Sequence, residues 1–415
     1  MSETCSLKSP NAHFILRPSA SPFSSRSAVA LLPLALPSMS LHPFLDKALD
    51  LATQSLTLTS PNPRVGCVLT DSSGFILGQG HTQRTGAAHA EVMALRDAAA
   101  NGRSVAGATA YVTLEPCSHH GRTGPCCDAL IAAGITRVVA LHADPNPLVA
   151  GQGFARLRAA GAEVEVLAAD EPLAMRAREL NIGFFSRMIR KKPWVRMKIA
   201  ASLDGKTALN NGSSQWITSP EARADGHAWR ARACAVLTGI GTILQDRPRM
   251  DVRLVQTSRQ PQLVIVDSRL QTPPDATIFI AGRAVFIYSS VQNDAKKLAL
   301  EQRGATVIYL PGSHADGTPT GKVDLSAMLL DLAQREINEL HVEAGHGLNG
   351  SMLREALVDE LVVYLAPKFV GKGQEMADFG PLINLDQSMQ LDFSSAIPIG
   401  PDLRIVARVR GRGVF

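Results

Sequence analysis

Two short segments of the chain combine histidines, one glutamate and three cysteines at a spacing that suits metal chemistry. Residues 89–91 read His-Ala-Glu, and residues 116–127 read Pro-Cys-Ser-His-His-Gly-Arg-Thr-Gly-Pro-Cys-Cys. A catalytic zinc ion takes three protein ligands and keeps a fourth position for water, and His89, Cys117 and Cys126 can supply one imidazole and two thiolates. Zinc activates that water as a nucleophile, and Glu91 can carry a proton from the water to a departing amine. The segments therefore predict one zinc ion per chain and hydrolytic deamination.

Each part of this pattern has a plainer explanation when it stands alone. A His-Ala-Glu triplet arises by chance, and two cysteines can form a structural zinc site or a pair of buried thiols. Glu91 discriminates between these alternatives, because a structural zinc site has no use for an acid beside an open position. Cys126 opens a predicted helix over residues 126–134, where the helix dipole favours a thiolate. The adjacent Cys127 must point elsewhere and is predicted to be a core thiol.

Longer stretches around this pattern resemble a known family, the bifunctional deaminase–reductases of riboflavin biosynthesis. The matching stretches are PNPRVGCVL (61–69), GHTQRTGAAHAE (80–91) and YVTLEPCSHHGRTGPCCDALI (111–131). Eight residues separate Cys117 from Cys126, whereas the deaminases that act on nucleic acids have two between their cysteines. The resemblance implies a cytidine-deaminase-like, three-layer α/β/α domain. It also implies the substrate 2,5-diamino-6-(5-phosphoribosylamino)pyrimidin-4-one, whose ring amine is replaced by oxygen.

Residues near the predicted zinc ligands are candidates for substrate contacts. His120 and Arg122 lie in the loop between the two cysteines, where a substrate phosphate would find hydrogen-bond donors. Asn62 lies between two prolines and can hydrogen-bond the pyrimidine or its sugar. The alternatives are a solvated loop for His120 and Arg122 and a plain Asx turn for Asn62.

A glycine-rich segment in the second half of the chain is the candidate for a second site. Residues 342–351 read VEAGHGLNGS and contain G-x-G-x-x-G between a predicted strand, 339–343, and a predicted helix, 351–357. The free N–H groups of a helix N-terminus bind phosphates, and a side chain at Gly347 is expected to block that approach. A Rossmann domain is disfavoured, because the acid expected about twenty residues later is missing. The motif alone does not separate a phosphate site from a plain glycine turn.

Four further stretches resemble the reductase half of the same family. They are KIAASLDGKTA (198–208), SQWITS (214–219), ILQDRPRMDVR (243–253) and IVDSRLQTP (265–273). The resemblance implies a dihydrofolate-reductase-like α/β domain in which NADPH reduces the ribosyl group of the deaminated pyrimidine to a ribityl chain. The cofactor contacts that it implies are Ala200, Trp216, Thr242, Asp246, Ser268, Gly345, His346, Gly347, Leu348, Asn349, Gly350 and Ser351. The substrate contacts that it implies are Ser214, Arg230, Met250, Arg253 and Glu343.

The predicted reduction needs a proton as well as a hydride. The nicotinamide supplies the hydride, and the available acids are Lys198, Asp246 and Glu343. The sequence does not rank these three side chains. Arg230 and Arg253 suit the substrate phosphate, because a guanidinium presents a planar fork of donors.

The elements that must position these residues follow from the hydrophobic pattern. Strand and helix patterns alternate from Pro43 onward, which predicts an α/β layered domain, and a second α/β unit begins near residue 195. The basic stretch between the two units is interpreted as a solvated linker. The predicted divisions are a disordered extension (1–40), a zinc-dependent deaminase domain (41–186), the linker (187–193) and an NADPH-dependent reductase domain (194–415).

The composition disfavours several classes of partner. Lys and Arg exceed Asp and Glu by 42 − 37 = +5 over 415 residues, and aromatic residues make up 5%. So small a charge and so few aromatic side chains disfavour nucleic-acid binding, and no apolar run is long enough to span a membrane. We therefore expect no nucleic-acid or membrane partner, while the resemblance implies a phosphorylated small-molecule substrate, and we leave a homo-oligomer open.

Residues 1–40 are rich in Ser and Pro and hold a single acid, Glu3. They form either a targeting peptide or an extension upstream of Met39. We expect a cytoplasmic enzyme, with organelle targeting through residues 1–38 as the alternative. Two other functions stay open: a nucleoside or nucleic-acid deaminase with an accessory domain, and a zinc-stabilised binding scaffold.

Overall fold

A five-stranded sheet forms the centre of the first half of the chain in this computed structural model, which describes residues 42–119, 124–147 and 149–415. Its strands are β1 (Gly66–Thr70), β2 (Ile76–His81), β3 (Thr109–Val112), β4 (Arg137–Ala140) and β5 (Glu163–Val166). Their order is β2-β1-β3-β4-β5, with β1 antiparallel to both neighbours and β3, β4 and β5 parallel. The carboxyl ends of β3 and β4 consequently lie side by side.

Helices cover both faces of this sheet. They are α1 (Pro43–Thr53), α2 (Ala90–Ala100), α3 (Cys126–Ala132), α4 (Gln152–Ala159), α5 (Pro172–Leu180) and α6 (Ile182–Arg190). Successive residues of β4 point to opposite faces: Val138 packs in one apolar cluster with Ala90 and Leu130, and Val139 packs in another with Leu45. The alternation confirms the three layers that the sequence predicts.

A nine-stranded sheet organises the second half. The strands of this half are β6 (Trp194–Ser202), β7 (Lys206–Leu209), β8 (Ala235–Gly239), β9 (Gln262–Val266), β10 (Val285–Ser289), β11 (Ala305–Tyr309), β12 (Pro311–Ser313), β13 (Pro319–Val323), β14 (Glu339–Val342), β15 (Glu360–Ala366), β16 (Gly373–Glu375), β17 (Leu391–Ile399) and β18 (Asp402–Val409). The large sheet has the order β11-β10-β9-β8-β14-β6-β15-β18-β17. It is parallel from β11 to β15, and β18 and β17 run antiparallel. The pairs β7–β16 and β12–β13 form small ribbons.

The two faces of this second sheet differ in polarity. Its helices are α7 (Pro220–Arg232), α8 (Ile240–Asp246), α9 (Asp294–Glu301), α10 (Leu325–Gln334) and α11 (His346–Arg354). Met197 of β6 packs in the apolar cluster beneath α10. Its neighbour Arg196 points to the opposite face, where it is buried and pairs with Glu339 at 2.9 Å. A buried charge needs such partners, so this face carries a network of ions.

The basic stretch at residues 187–193 is not a solvated linker. Residues 187–190 are the last turn of α6, and β6 begins at Trp194. Arg190 pairs with Asp359 at 2.9 Å, and the Arg187 Nε donates to the Asn338 carbonyl oxygen Oδ1 at 2.5 Å. The stretch carries these cations because two of them bind carboxylate and amide oxygens of the second half. The domain boundary near residue 190 stays a prediction.

Further contacts join the two halves. Arg64 pairs with Glu339 at 2.6 Å, and their side chains are 9% and 2% exposed. Arg408 donates two hydrogen bonds to the Glu179 carboxylate, at 2.8 and 2.7 Å. The predicted extension over residues 1–40 lies outside the described residues. Among the described residues, no helix is long and apolar enough to cross a membrane.

Candidate zinc centre and reductase site

The three predicted zinc ligands meet at the amino-terminal ends of two helices. His89 is the N-cap residue of α2, Cys126 is the first residue of α3, and Cys117 follows β3. Their ligand atoms all lie within 4.8 Å of one another. The fold therefore brings together side chains that are up to 37 positions apart in sequence.

The spacing of these atoms fits a tetrahedral zinc ion. His89 Nδ1 lies 3.6 Å from Cys117 Sγ and 3.4 Å from Cys126 Sγ. Bond lengths of about 2.0 Å for Zn–N and about 2.3 Å for Zn–S, at a tetrahedral angle, place such atoms about 3.5 Å apart. Three protein ligands leave a fourth position open, which is the arrangement of a catalytic site.

The backbone at the start of α3 stabilises Cys117, which the expectation for Cys126 did not include. The Cys126 N–H donates to Cys117 Sγ at 3.3 Å. Hydrogen bonds from the Cys126 and His89 side chains lower the pKa of the Cys117 thiol to about 4, and the same pairing with Cys117, together with burial, raises the pKa of Cys126. A metal ion would take both sulfur atoms as thiolates. Cys127 is fully buried in the apolar cluster beneath α3, as predicted.

Glu91 lies in the first turn of α2, beside the ligand cluster. It is 3% exposed and shares a hydrogen bond with the Cys126 side chain. Burial, and then the charge of Cys117, raise the pKa of Glu91 to about 7. A carboxyl group with such a pKa can both accept and release a proton near neutral pH, which deamination requires.

Most of the predicted cofactor contacts of the second half converge on one edge of its sheet. The strands β9, β8, β14 and β6 are adjacent and parallel. Ser268 follows β9, Thr242 lies in the helix after β8, and Ala200 lies near the end of β6. The glycine segment follows β14. Because parallel strands end at the same edge, the fold gathers residues that are far apart in sequence, at the edge where α/β sheets bind ligands.

The glycine segment is the first turn of a helix and not a loop before one. Helix α11 begins at His346 with Gly345 as its N-cap, and its first N–H groups have no acceptor within the helix. An ideal Cβ at Gly347 meets no atom within 4 Å, and the backbone there is not left-handed. At Gly350, in contrast, a Cβ would lie 2.0 Å from the carbonyl oxygen of Asp378. The protein itself therefore requires glycine at 350 and not at 347.

Comparison with known proteins decides the family. The cytidine and deoxycytidylate deaminase zinc-binding region matches residues 39–142, and the RibD C-terminal domain matches residues 193–405. Riboflavin biosynthesis protein RibD of Escherichia coli is 42% identical over 369 residues, which cover 87% of this chain and 97% of the relative. The chain belongs to the RibD family.

Other RibD proteins agree with this assignment. RibD of Aquifex aeolicus is 40% identical over 362 residues, which cover 87% of this chain and 96% of the relative. The structure of Acinetobacter baumannii RibD has a TM-score of 0.79 at 35% identity, and covers 89% of this chain and 98% of its own. The chain is therefore a bifunctional deaminase and reductase of riboflavin biosynthesis, with zinc and NADPH as cofactors and with cytidine-deaminase-like and dihydrofolate-reductase-like halves. The alternative of a deaminase with an unrelated accessory domain is not supported, because both halves match RibD.

The predicted substrate contacts of the deaminase half are placed only in part. His120 and Arg122 lie outside the described residues. Asn62 is half-buried, and its backbone N–H donates to the Thr59 carbonyl oxygen at 2.7 Å in a turn. Its amide has no hydrogen-bond partner among the described residues, so the side chain is free to bind a ligand.

Asp144 is a neighbour of the zinc centre that the sequence analysis missed. It follows β4, and its charge interacts with those of Glu115, His119 and Cys117. Burial raises the pKa of Asp144 to about 6. Its position in the sequence could have indicated this. Asp144 follows β4 and Cys117 follows β3, and neighbouring parallel strands end at the same edge of a sheet.

Arg230 and Glu343 of this RibD-family enzyme are paired with each other. Arg230 donates to both carboxylate oxygens, with Nη2 lying 2.8 Å from Oε2. Burial alone would raise the pKa of Glu343, but the Arg230 guanidinium outweighs it and holds that pKa well below its usual range. Arg253 has a side chain that is 49% exposed and pairs with Asp251 at 2.7 Å. Of the two arginines predicted to bind phosphate, Arg230 is therefore occupied by Glu343, and Arg253 is the one with donors open to solvent.

The residues of the glycine segment divide into an exposed and a buried group. Gly345, His346 and Gly347 are exposed, whereas Asn349 and Gly350 are buried and Leu348 and Ser351 are half-buried. Asn349 Nδ2 donates to the carbonyl oxygen of Met376 at 3.0 Å. The exposed residues leave room for a cofactor, and the buried ones hold the helix in place.

The remaining predicted contacts of the reductase half differ in exposure. Met250 is 4% exposed and packs in an apolar cluster with Ile243, so its side chain is a core residue and does not support the predicted substrate contact. Trp216 is 62% exposed, and the Arg223 guanidinium lies 4.3 Å from its ring centroid. Asp246 is exposed at the end of α8, and Ser214 is half-buried.

Proposed function

We propose that the enzyme deaminates 2,5-diamino-6-(5-phosphoribosylamino)pyrimidin-4-one at the zinc centre and then reduces the ribosyl group of the product to a ribityl chain with NADPH. The observation that carries the proposal is the cluster of His89, Cys117 and Cys126 with Glu91 buried beside it. A relative from Thermotoga maritima, 29% identical with a TM-score of 0.74, is described as a diaminohydroxyphosphoribosylaminopyrimidine deaminase/5-amino-6-(5-phosphoribosylamino)uracil reductase.

In the deamination, the protein side chains bind the metal and move one proton. His89, Cys117 and Cys126 would hold the zinc ion, which when bound would supply an activated water as the nucleophile. Glu91 would accept the proton that the nucleophile gives up and deliver it to the departing amine. The ring carbon gains oxygen, and ammonia leaves. Asn62, His120 and Arg122 contact the pyrimidine and its phosphate.

In the reduction, Lys198 is the best placed of the three candidate proton donors. Asp246 is exposed at a helix end, and Glu343 is held as a carboxylate by Arg230. Burial lowers the pKa of Lys198, its ammonium lies 5.7 Å from the ring centroid of Tyr364, and it has no hydrogen-bond partner among the described residues. Lys198 therefore gives its proton to the sugar oxygen while NADPH supplies the hydride.

The same proposal includes the division of the chain and its surroundings. We assign residues 41–186 to deamination and residues 194–415 to reduction, in accord with the family matches over residues 39–142 and 193–405. The enzyme acts in the cytoplasm on a free, phosphorylated small molecule, with no nucleic-acid or membrane partner. Self-association is favoured by the edge strand β17, on which Phe393 is 75% exposed.

One assay tests both reactions. The pyrimidine is incubated with the full chain, with and without NADPH, and the products are identified by mass. We expect deamination alone without NADPH, and a further gain of two hydrogen atoms with it. Unchanged substrate, or turnover of cytidine instead, would contradict the proposal.

A further inference from the structure

Glu115 is a buried carboxylate between β3 and the ligand loop, and the zinc chemistry does not use it directly. It is 5% exposed, and four backbone N–H groups donate to it. Oε2 accepts from Asp144 at 3.0 Å and Gly151 at 2.9 Å, and Oε1 accepts from Gly153 at 2.8 Å and Phe154 at 3.2 Å. A carboxylate has acceptor sites for all four, so its burial is compensated.

The four donors belong to the segment after β4 and to the first turn of α4. Glu115, two residues before Cys117, therefore holds the segment after β4 and the start of α4 against the ligand loop. An ideal Cβ at Gly153 would lie 2.0 Å from the Pro116 carbonyl oxygen. The first turn of α4 thus touches the residue that precedes Cys117, and only glycine permits this approach.

Helix α4 also reaches the second cysteine ligand. Arg156 pairs with Asp128 of α3 at 2.7 Å, and its Nη1 lies 3.4 Å from the Ser118 carbonyl oxygen. Since α3 begins at Cys126, α4 contacts both the Cys117 loop and the Cys126 helix. Glu115 connects this helix to the ligand loop.

We propose that Glu115 is a positioning residue of the zinc centre, which sets Cys117 and Asp144 against the first turn of α4. The proposal rests on the zinc ligands proposed above. Glutamine at this position has the same size but replaces one acceptor oxygen by an NH₂ group, which faces two backbone donors. Those donors lose their partner, and Cys117 shifts relative to His89 and Cys126. Loss of an outer partner of a metal ligand typically costs about 10–100-fold in metal affinity or activity.

The test uses the full chain with three variants. Glu115→Gln removes the acceptor, Gly153→Ala displaces the same contact from the opposite side, and Glu163→Gln is the control, a carboxylate of the same half whose side chain is 69% exposed. Zinc affinity is measured by transfer to a chromophoric chelator. Deaminase kcat and KM, reductase activity on pre-deaminated substrate and Tm with and without zinc are measured in parallel.

We expect Glu115→Gln and Gly153→Ala to lower zinc affinity and deaminase kcat about 10–100-fold, with reductase activity unchanged and less than additive effects when combined. Glu163→Gln should match the parent protein. Zinc affinity and kcat at parental values in folded Glu115→Gln would overturn the proposal. The proposal would also be overturned if Glu115→Gln lowered Tm equally with and without zinc while zinc affinity stayed unchanged, because that result marks a purely structural role. Zinc retained by Cys117→Ser would instead contradict the ligand assignment itself.

Discussion

The zinc centre and the reductase site are built in different ways. The zinc ligands come from two helix starts and one loop, and their atoms lie within 4.8 Å of one another. Most of the predicted cofactor residues of the reductase lie at the ends of four neighbouring strands, and two of the predicted contacts, Trp216 and Gly347, are exposed. A metal ion needs a few atoms at fixed distances, whereas a dinucleotide needs an extended surface. Single substitutions should therefore abolish deamination at the zinc centre, whereas single substitutions at the reductase site should only weaken reduction.

The two sites also treat buried charge differently. Near the zinc centre, Glu91 has no cationic partner among the described residues except the ligand His89, so burial raises its pKa to about 7. In the reductase half, Glu343 is neutralised by Arg230, so its pKa falls. The unpaired carboxyl group is suited to proton transfer, and the paired one is suited to binding.

The largest effect should come from Cys117→Ser. A serine hydroxyl is a poor substitute for a thiolate ligand, so we expect loss of the bound zinc and no measurable deamination. Metal analysis of the purified protein measures the zinc. Cys127→Ala, at the adjacent core thiol, is the control and should keep zinc. If Cys127→Ala also lost its zinc, the loss in Cys117→Ser would not be specific to the ligand.

Glu91→Gln should be next in size. It removes the proton carrier but leaves all three ligands, so zinc should stay bound while deamination falls by about 10²–10⁴-fold or more. Reductase activity on pre-deaminated substrate should be unchanged. Near-normal deamination by this variant would mean that another group moves the proton.

Lys198→Met tests the reductase side of the comparison. Methionine fills the space but offers no proton, and we expect reduction to fall by about 10²-fold with deamination intact. Asp246→Asn, at the exposed helix end, should lower the rate of reduction far less than Lys198→Met does. The reverse ranking of these two variants would assign the proton to Asp246.

The smallest effect should come from Gly347→Val. A Cβ there meets no protein atom within 4 Å, so Tm should not change. We expect the variant to bind NADPH about tenfold more weakly, which is about 1.4 kcal/mol, because the cofactor is predicted to lie above the first turn of α11. Fluorescence titration measures the affinity. Gly350→Ala is the matched contrast: it should lower stability by about 1–3 kcal/mol through overpacking. Unchanged affinity in Gly347→Val would place the cofactor elsewhere.

The sequence predicted the helix at the zinc site closely, because the pattern there is local. The start of α3 at Cys126 was expected from residue types and spacing. The helical end of the basic stretch was missed, since its arginines read as solvated until Asp359 and Asn338 were placed beside them. The Met250 side chain packs in the core, which no local pattern indicated, and its contact with the substrate stays a prediction.

The sequence alone determined the chemistry: one imidazole, two thiols and an acid at a catalytic spacing, and a second half that resembles a reductase. Tertiary structure alone decided which groups act together. It directed the Cys126 N–H to Cys117, paired Arg230 with Glu343, brought Asp144 to the zinc centre and set four N–H donors on Glu115. The physical reason is that residue types and spacing encode contacts within one turn or one strand. Contacts between parallel strands depend on their order in the sheet, which no local pattern specifies.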